Sequence, residues 1–324
     1  MKKISNIKTE LDISVVSDLL KSNFKLISPH FYRMTTDWAI GAYKNFGDID
    51  KCLILTYLVN EDFKYYRRNN INESYNLFYE KKGLEVHNVR SSQISRDLKI
   101  PKETVRRKII ELVKEGKIYR AGKKIEIDST FYKSFKPINT LKNVSYLLSV
   151  FSKILESEKI KTNSLDPLQA SILIKRNFSF CWYQFYKFLF NYCLRWREYF
   201  GEFEIFLVAM IVVLNRDALM KKKKLILSEH HLEEWRIDLQ KSDTIGVNAM
   251  SISEITGIPR QSVVRRLRLL IKNNYLKIDK KKLLHVNMSK KHQAAIFNIQ
   301  DRNLLSFSKF IFRTFNKIIL NSNL

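Results

Sequence analysis

One stretch of this chain occurs twice, and it decides the fold. Residues 94–114 read ISRDLKIPKETVRRKIIELVK, and residues 252–272 read ISEITGIPRQSVVRRLRLLIK. The two stretches align without a gap, and each predicts two helices joined by a tight turn. Identical residues occupy the aligned pairs Ile94/Ile252, Ser95/Ser253, Ile100/Ile258, Pro101/Pro259, Val105/Val263, Arg107/Arg265, Leu112/Leu270 and Lys114/Lys272.

In the first copy, the spacing of apolar residues predicts which side of each helix is buried. Ile94 and Leu98 lie four residues apart, on one face of the first helix, and Ile100 fills the angle between the helices. Pro101 suits the start of the second helix, because its missing N–H needs no partner there and its fixed φ is already helical. The predicted buried stripe of the second helix is Val105, Ile109, Leu112 and Val113.

The second copy follows the same pattern. Ile252, Ile255 and Ile258 are the predicted inner positions of its first helix and turn. Gly257 stands in the turn where the first copy has Lys99, and glycine adopts a left-handed backbone without steric cost. The predicted buried stripe of the second helix is Val263, Leu267, Leu270 and Ile271.

A predicted β-hairpin follows each helix pair. Residues 117–128 read KIYRAGKKIEID and residues 275–287 read YLKIDKKKLLHVN, in which apolar residues alternate on either side of a basic turn. We call each helix pair with its hairpin a head. The first head comprises residues 92–114 and 117–128, and the second head comprises residues 250–272 and 275–287.

The duplication extends upstream of the heads. In each half an aromatic-rich segment ends at a glycine followed by an acid, at Gly47-Asp48 and at Gly201-Glu202, and an apolar segment comes next. Both glycines suit a backbone corner, and both acids suit the first turn of the next helix. The chain is therefore predicted to comprise two equivalent units, residues 1–157 and 158–324, with a linker near residues 157–167.

Composition restricts the class of partner. The chain has 324 residues, of which 45% are hydrophobic, so a sizeable core is available. Its 58 lysines and arginines against 32 aspartates and glutamates give a net charge of +26. Such a charge favours a polyanionic partner, either nucleic acid or an anionic membrane surface.

Cysteine usage and hydropathy indicate an intracellular protein without a membrane span. Cys52, Cys181 and Cys193 lie within apolar or aromatic runs and show no CxxC spacing, which favours buried, reduced thiols. No signal peptide is recognisable at the N-terminus. The apolar run 205–214 is far shorter than the roughly 18–20 residues that cross a bilayer, so a buried helix is predicted there.

The second copy carries a family resemblance. Residues 247–253 read VNAMSIS and residues 256–266 read TGIPRQSVVRR. They resemble the pattern NAxSIxxxTGIPRxTVRR of bacterial winged helix-turn-helix transcriptional regulators; the first copy keeps IPKETVRRK but lacks the Thr-Gly step. The resulting expectation is a mainly α fold with small β-wings, built as two tandem winged helix-turn-helix domains with extra helices and a pseudo-two-fold duplication.

In such regulators the second helix of each pair enters the major groove of DNA. Positions that point away from the buried stripe are therefore expected to contact bases or phosphates. Val264 replaces Arg106 in the second head, so the two heads should read different bases. The expected contacts are Lys102, Thr104, Arg106, Arg107, Lys108, Lys123 and Lys124 in the first head, and Arg260, Gln261, Ser262, Arg265, Arg266, Lys280, Lys281 and Lys282 in the second.

These features predict a sequence-specific regulator of transcription that binds double-stranded DNA in the cytoplasm, at the nucleoid, with no cofactor and no membrane partner. A homodimer through the aromatic-rich helices is a further partner prediction. Two alternatives stay open: a plasmid- or phage-type replication initiator with tandem winged helices, and a ligand-responsive regulator with a pocket in the aromatic-rich part. The chain lacks P-loop, GxGxxG, HExxH and GxSxG motifs, and His230-His231 has no nearby cysteine, so neither an enzyme nor a metal site is predicted.

Overall fold

The computed structural model describes residues 11–86, 89–121, 124–161, 163–222 and 246–320. These residues form a mainly helical protein with a few short antiparallel strands, which confirms the predicted fold class at that level. Residues 223–245, which include His230 and His231, lie outside the described residues.

The elements that recur in both halves follow the same order. The first half contains α1 (Ile13–Ser22), α2 (Phe24–Phe46), α3 (Ile49–Arg68), α4 (Tyr75–Glu80), β1 (Leu84–Val86), α5 (Ser91–Leu98), α6 (Lys102–Lys114), β2 (Ile118–Ala121), β3 (Lys124–Ile127), α7 (Ser129–Ser134) and α8 (Ile138–Ser157). The second half contains α9 (Pro167–Arg176), α10 (Phe178–Phe200), α11 (Phe203–Lys222), α12 (Ala249–Thr256), α13 (Arg260–Lys272), β4 (Leu276–Ile278), β5 (Leu284–Val286) and α14 (Lys290–Leu320).

Five pairs of matching helices have equal lengths over their described residues. Helices α1 and α9 have 10 residues each, α2 and α10 have 23, α3 and α11 have 20, α5 and α12 have 8, and α6 and α13 have 13. The junctions match as well. The side-chain amide of Asn23 donates to the carbonyl of Leu19 at 3.1 Å, and that of Asn177 donates to Leu173 at 3.0 Å. The duplicated sequence pattern therefore corresponds to duplicated structure.

The two sheets are small and antiparallel. In the first half the strand order is β1-β3-β2. Ile127 of the central strand β3 lies opposite Leu84 of β1 on one side and opposite Ile118 of β2 on the other. In the second half β4 pairs with β5. A single bridge between Val247 and Leu284 takes the place of the third strand. Both predicted hairpins are present, with strand ends within a few residues of the predicted bounds.

The two halves share one hydrophobic core. Helix α2 packs on α8 and α10 packs on α14, while α1 packs on α14 and α9 on α8, so the first helix of each half contacts the last helix of the other. Buried hydrogen bonds hold these contacts: the Leu11 amide donates to Asn316 Oδ1 at 3.1 Å, and the Leu165 amide donates to Ser152 Oγ at 2.8 Å.

Aromatic rings fill the centre of this core. Phe31 of α2 lies 5.9 Å from Tyr192 of α10 and 4.8 Å from Phe307 of α14, measured between ring centroids. Edge-to-face pairs of this kind add to the free energy gained from burial. The aromatic helix α10 is thus covered by helices of its own chain. Its three-sided packing against α3, α11 and α14 confirms that it is a buried helix.

The predictions about the apolar run and the thiols are confirmed. Residues 205–214 lie in α11, where Leu207 and Val208 are buried, and Cys52, Cys181 and Cys193 are buried free thiols. Burial raises the pKa of Cys52 and of Cys181 to about 12. Among the helices in the described part of the chain, none has the length and apolarity needed to cross a membrane.

Each half turns a corner after its aromatic-rich helix. Gly47 ends α2 at a φ of 64°, and Gly201 ends α10 at a φ of 82°. Asp48 then caps α3, accepting a hydrogen bond from the amide of Lys51 at 3.1 Å. We call residues 47–50 the first corner and residues 201–204 the second corner. Both predicted glycine–acid corners are confirmed.

Gly47→Ala and Gly41→Ala form a matched pair that tests the first corner. An alanine at position 47 must keep a positive φ, which costs an L-residue roughly 1–2 kcal/mol, so the free energy of unfolding should fall by that amount. Gly41 lies inside α2 with nothing within 4 Å of an added Cβ, so Gly41→Ala should gain roughly 0.5–1 kcal/mol. Urea titration followed by circular dichroism measures both. Equal effects would contradict the left-handed turn.

Candidate nucleic-acid interface

The turn between the two helices of each head is built from the same parts. Lys99 takes a φ of 50° after α5, and Gly257 takes a φ of 77° after α12, so both turns use the left-handed backbone that was predicted for Gly257. Ile100 and Ile258 follow and are fully buried. In the second head the turn is also tied by the hydroxyl of Ser253, which donates to the carbonyl of Ile258 at 2.7 Å.

The buried stripes of α6 and α13 are largely as predicted. Val105, Ile109 and Leu112 are buried in α6, and Val263, Leu267 and Leu270 are buried in α13. Two predicted inner residues, Val113 and Ile255, are exposed. Each lies beside the line of buried residues of its helix, on a side that the described part of the chain leaves exposed. The narrow contact line leaves the opposite face of each helix open.

Arginines occupy the open faces. The side chains of Arg106, Arg107 and Arg265 are 61%, 65% and 60% exposed. These arginines therefore fulfil the geometric requirement for contact with an extended polyanion. Of the other predicted contact residues on these two helices, Lys102, Arg260 and Gln261 are exposed, and Thr104 and Ser262 are partly buried.

Arg106 is paired within its own helix. Its Nε and Nη2 atoms donate to the Glu103 carboxylate at 3.0 and 2.7 Å. The hydrogen bond with Arg106 lowers the pKa of Glu103, so that carboxylate stays ionised at neutral pH. The aligned positions of α13 are Gln261 and Val264, which carry no charge. The first head thus presents an arginine–glutamate pair where the second head presents a neutral surface.

Lys108 and Arg266 were predicted to face DNA, and that prediction is wrong. Lys108 is 12% exposed and binds the first corner at Asp48 Oδ2, at 2.6 Å. Arg266, its counterpart, is 10% exposed and binds the second corner at Glu202, at 3.0 Å. Both positions lie beside the buried stripe, where the corner supplies a carboxylate. These two cations therefore attach α6 and α13 to the core.

The pKa of Lys108 reflects this attachment. Burial acts to lower it, but the hydrogen bonds and negative charges of Asp48 and Glu111 outweigh burial and hold the pKa above its usual range. A second lysine, Lys51 of α3, binds Glu111 at 3.2 Å and Glu115 at 2.6 Å. The C-terminal half of α6, together with Glu115 just after it, is thus attached to α3 and its capping residue.

The two corners lie close to each other. Burial raises the pKa of Glu204 in the second corner, and the negative charges of Asp48 and Asp50 in the first corner raise it further. Arg197 of α10 also reaches across the halves. It donates to Asp50 at 2.8 Å and to the carbonyl of Leu98, the last residue of α5. Through Arg197 the first head is attached to a helix of the second half.

The two hairpins differ in charge. In the first, Lys124 binds Glu85 of the adjacent strand at 2.6 Å, so its charge is compensated; Lys123 lies outside the described residues. In the second, Lys280, Lys281 and Lys282 are exposed at the tip. The carboxylate of Asp279 shapes this tip by accepting from the amides of residues 281 and 283 at 2.9 and 2.8 Å.

Sequence reasoning missed the residues that hold the heads in place. Asp48 and Glu202 were interpreted only as helix-capping acids, and Arg197 was not singled out. One signal was available: a cation at position 108 or 266 recurs with an acid at the corner in both copies. The pairing was not deducible, because the sequence does not state which helices meet. Among the described residues, no group of His, Cys, Asp and Glu side chains could hold a metal ion.

Comparison with protein-family models, with curated proteins and with solved structures gave no match to this chain. The resemblance to winged helix-turn-helix regulators therefore rests on the quoted residues. Any functional interpretation depends on the geometry of the two heads.

Glu204→Gln tests the charge at the junction of the corners. A raised carboxyl pKa means that the folded protein binds a proton more tightly than the unfolded chain, so stability falls as pH rises above about 4.3, the ordinary glutamate pKa. Glutamine does not ionise, so the variant does not lose this stability as pH rises. Glu204→Gln should therefore be more stable than wild type at pH 7, with a gain that shrinks towards pH 4. Urea unfolding across this range measures it.

Glu198→Gln is the matched control, because Glu198 lies on α10 but is 45% exposed and binds Lys99 at the surface. It should show no comparable gain at pH 7. A wild-type pH dependence in Glu204→Gln would show that the folded protein does not hold the pKa of Glu204 above its ordinary value.

Proposed function

We propose that this protein is a sequence-specific regulator of transcription that binds double-stranded DNA through two non-identical winged helix-turn-helix heads. One observation carries the proposal. A helix with exposed arginines, preceded by a tight left-handed turn and followed by a β-hairpin, occurs twice in the chain on equivalent positions of a duplicated core. A basic element of this kind, present twice, matches the footprint expected of a DNA-binding protein.

The dimensions and chemistry of the heads support this reading. The B-DNA major groove is about 12 Å wide and admits one α-helix. Arg107 and Arg265 occupy aligned, exposed positions in the N-terminal half of α6 and α13, the part of a recognition helix that reaches base edges. A guanidinium group can bind both acceptors of guanine at once. The exposed lysines 280–282 suit phosphate contact beside the second helix.

The two heads are expected to prefer different half-sites. The first head presents Arg106 paired with Glu103, and glutamate can accept a hydrogen bond from cytosine N4. The second head presents Gln261 and Val264 at the same positions; glutamine suits adenine, and valine suits a thymine methyl group. Since both heads are attached to one core, the distance between the half-sites is set by the protein. About one helical turn, ~34 Å, is the spacing that two-headed binders address.

The decisive experiment is selection of bound sequences from a random pool of double-stranded DNA, followed by titration of the selected site across salt concentrations. Two different half-sites at one fixed spacing are expected, with affinity that falls steeply as salt rises. Selection of no motif would refute sequence-specific binding. An iterated motif clustered at a replication origin would instead favour the initiator alternative.

Arg107→Ala and Arg265→Ala test the two heads separately. Each should weaken binding to the selected site by ~1–3 kcal/mol, because a bidentate contact with a base is lost. Each loss should also be confined to the half-site of its own head. Fluorescence anisotropy with half-site variants measures both effects. Lys309→Ala is the matched control, since it removes one exposed positive charge from α14, outside both heads. Equal losses in all three variants would indicate non-specific charge attraction alone.

Glu103→Gln tests the arginine–glutamate pair of the first head. The substitution gives α6 the residue that α13 carries at Gln261, and it frees the Arg106 guanidinium. We expect tighter binding to random DNA, and a log–log salt dependence steeper by about one unit, since one more cation meets phosphate. Binding unchanged or weakened at every salt concentration would show that Arg106 does not contact DNA.

A further inference from the structure

A cavity of about 80 Å³ lies beneath the second hairpin. It is bounded by α10 and α11 on one side, by β4 and β5 on another, and by the N-terminal part of α14. Its walls are almost entirely apolar. Trp196 and Phe206 form one wall as a stacked pair, with centroids 4.4 Å apart and planes 10° apart.

The duplicated half shows that this space is not a requirement of the fold. In the first half, Phe131 of α7 and Phe135 just after it pack edge-on against Phe46, with ring centroids 5.7 and 5.3 Å away. Phe200 is the counterpart of Phe46, since each is the last residue of its 23-residue helix. Phe200 lines the cavity instead. The first half fills this place with its own side chains, whereas the described residues of the second half leave it open.

A proline accounts for the difference. Pro137 has no N–H and its ring blocks a continuous helix, so the chain breaks between α7 and α8 and α7 folds back onto the core. The described residues 246–320 contain no proline after the second hairpin, and α14 runs unbroken over 31 residues. No segment equivalent to α7 is therefore present there to cover Phe200.

The cavity walls are also built differently from those of the first half. Trp196 and Phe206 stand at the positions of Ala42 and Cys52, so aromatic rings replace small side chains. At its inner end the amide of Gln300 donates to the hydroxyl of Tyr32 at 2.6 Å. Such walls exclude a charged ligand, because a charge would lose its hydration without gaining a partner. A dry apolar cavity of about 150 Å³ holds benzene. This cavity has about half that volume and is partly open, so it encloses part of one ring and leaves the rest in its mouth.

We propose that this cavity binds a small, uncharged molecule through one aromatic ring, and that the bound ring regulates the second head. The cavity lies at the joint between the hairpin and the helical core. Leu276 of β4 and Val286 of β5 line it. Tyr275 lies just before β4. Its ring centroid is 5.2 Å from that of Phe200 and 4.1 Å from that of His292 in α14. A ring placed there adds contacts between the hairpin and α10, and so restrains the lysines at the hairpin tip.

The binding part of this proposal is independent of DNA, whereas the regulatory part rests on the proposed function. Fluorobenzene is the probe, followed by ¹⁹F NMR with the full chain in the absence of DNA. We expect saturable binding. Ala209→Leu and Val213→Phe extend two cavity-lining residues of α11 into the space, and each should lower the affinity at least about tenfold, the equivalent of ~1.4 kcal/mol.

Leu168→Phe is the matched control, because it enlarges an apolar side chain that is 70% exposed on α9, outside the cavity. It should bind the probe like wild type. Thermal unfolding of all variants shows whether they fold. Absence of saturable binding to wild type, or wild-type binding by folded Ala209→Leu and Val213→Phe, would overturn the site.

A second arm measures DNA affinity with and without a saturating concentration of the probe. We expect the probe to change the affinity for the second half-site and to leave the affinity for the first half-site unchanged. An unchanged affinity at both half-sites would overturn the regulatory role while leaving the site intact. If the chain binds no DNA at all, the proposed function fails, and the NMR result still decides whether the cavity binds a ring.

Discussion

The position of both heads depends on one interaction, a carboxylate at a glycine corner that binds a nearly buried cation of the following head. Asp48 binds Lys108, and Glu202 binds Arg266, at aligned positions of the two halves. Removing Glu202 would leave the nearly buried Arg266 without the carboxylate that it binds, which is far more costly than losing an exposed ion pair. The glycine before each acid sets the direction in which the carboxylate points. The ion pairs at the two corners therefore fix the direction in which the outer faces of α6 and α13 point.

The shared core makes the two heads parts of one body. The first helix of each half packs on the last helix of the other, and Arg197 of the second half binds both the first corner and the end of α5. A protein that carries two such heads on a common core sets the spacing of its binding sites without assembling a dimer. This organisation is what the proposed recognition of two unlike half-sites requires.

The copies share apolar side chains at their buried positions and differ at part of the surface that faces outward. Val105 and Val263 are identical and buried, whereas Arg106 and Val264 differ and lie outside. Burial restricts shape and volume, because well-packed interiors tolerate little change. Exposed positions carry no such restriction. Where α14 runs unbroken past the position of α7, the described second half has no counterpart of Phe131 and Phe135, and the space beside Phe200 can take another role.

The sequence by itself determined the duplicated pattern, the helix pairs, the hairpins, the two corners and the buried stripes, because periodicity and turn chemistry are local properties. It also identified exposed arginines such as Arg107 and Arg265. It misassigned Lys108, Arg266, Val113 and Ile255, whose environments depend on which elements meet. Only the tertiary structure decided that two basic residues bind acids of the core, that the first helix of each half packs on the last helix of the other, and that a cavity lies beneath the second hairpin. These features arise from contacts between residues distant along the chain, and local spacing carries no information about such contacts.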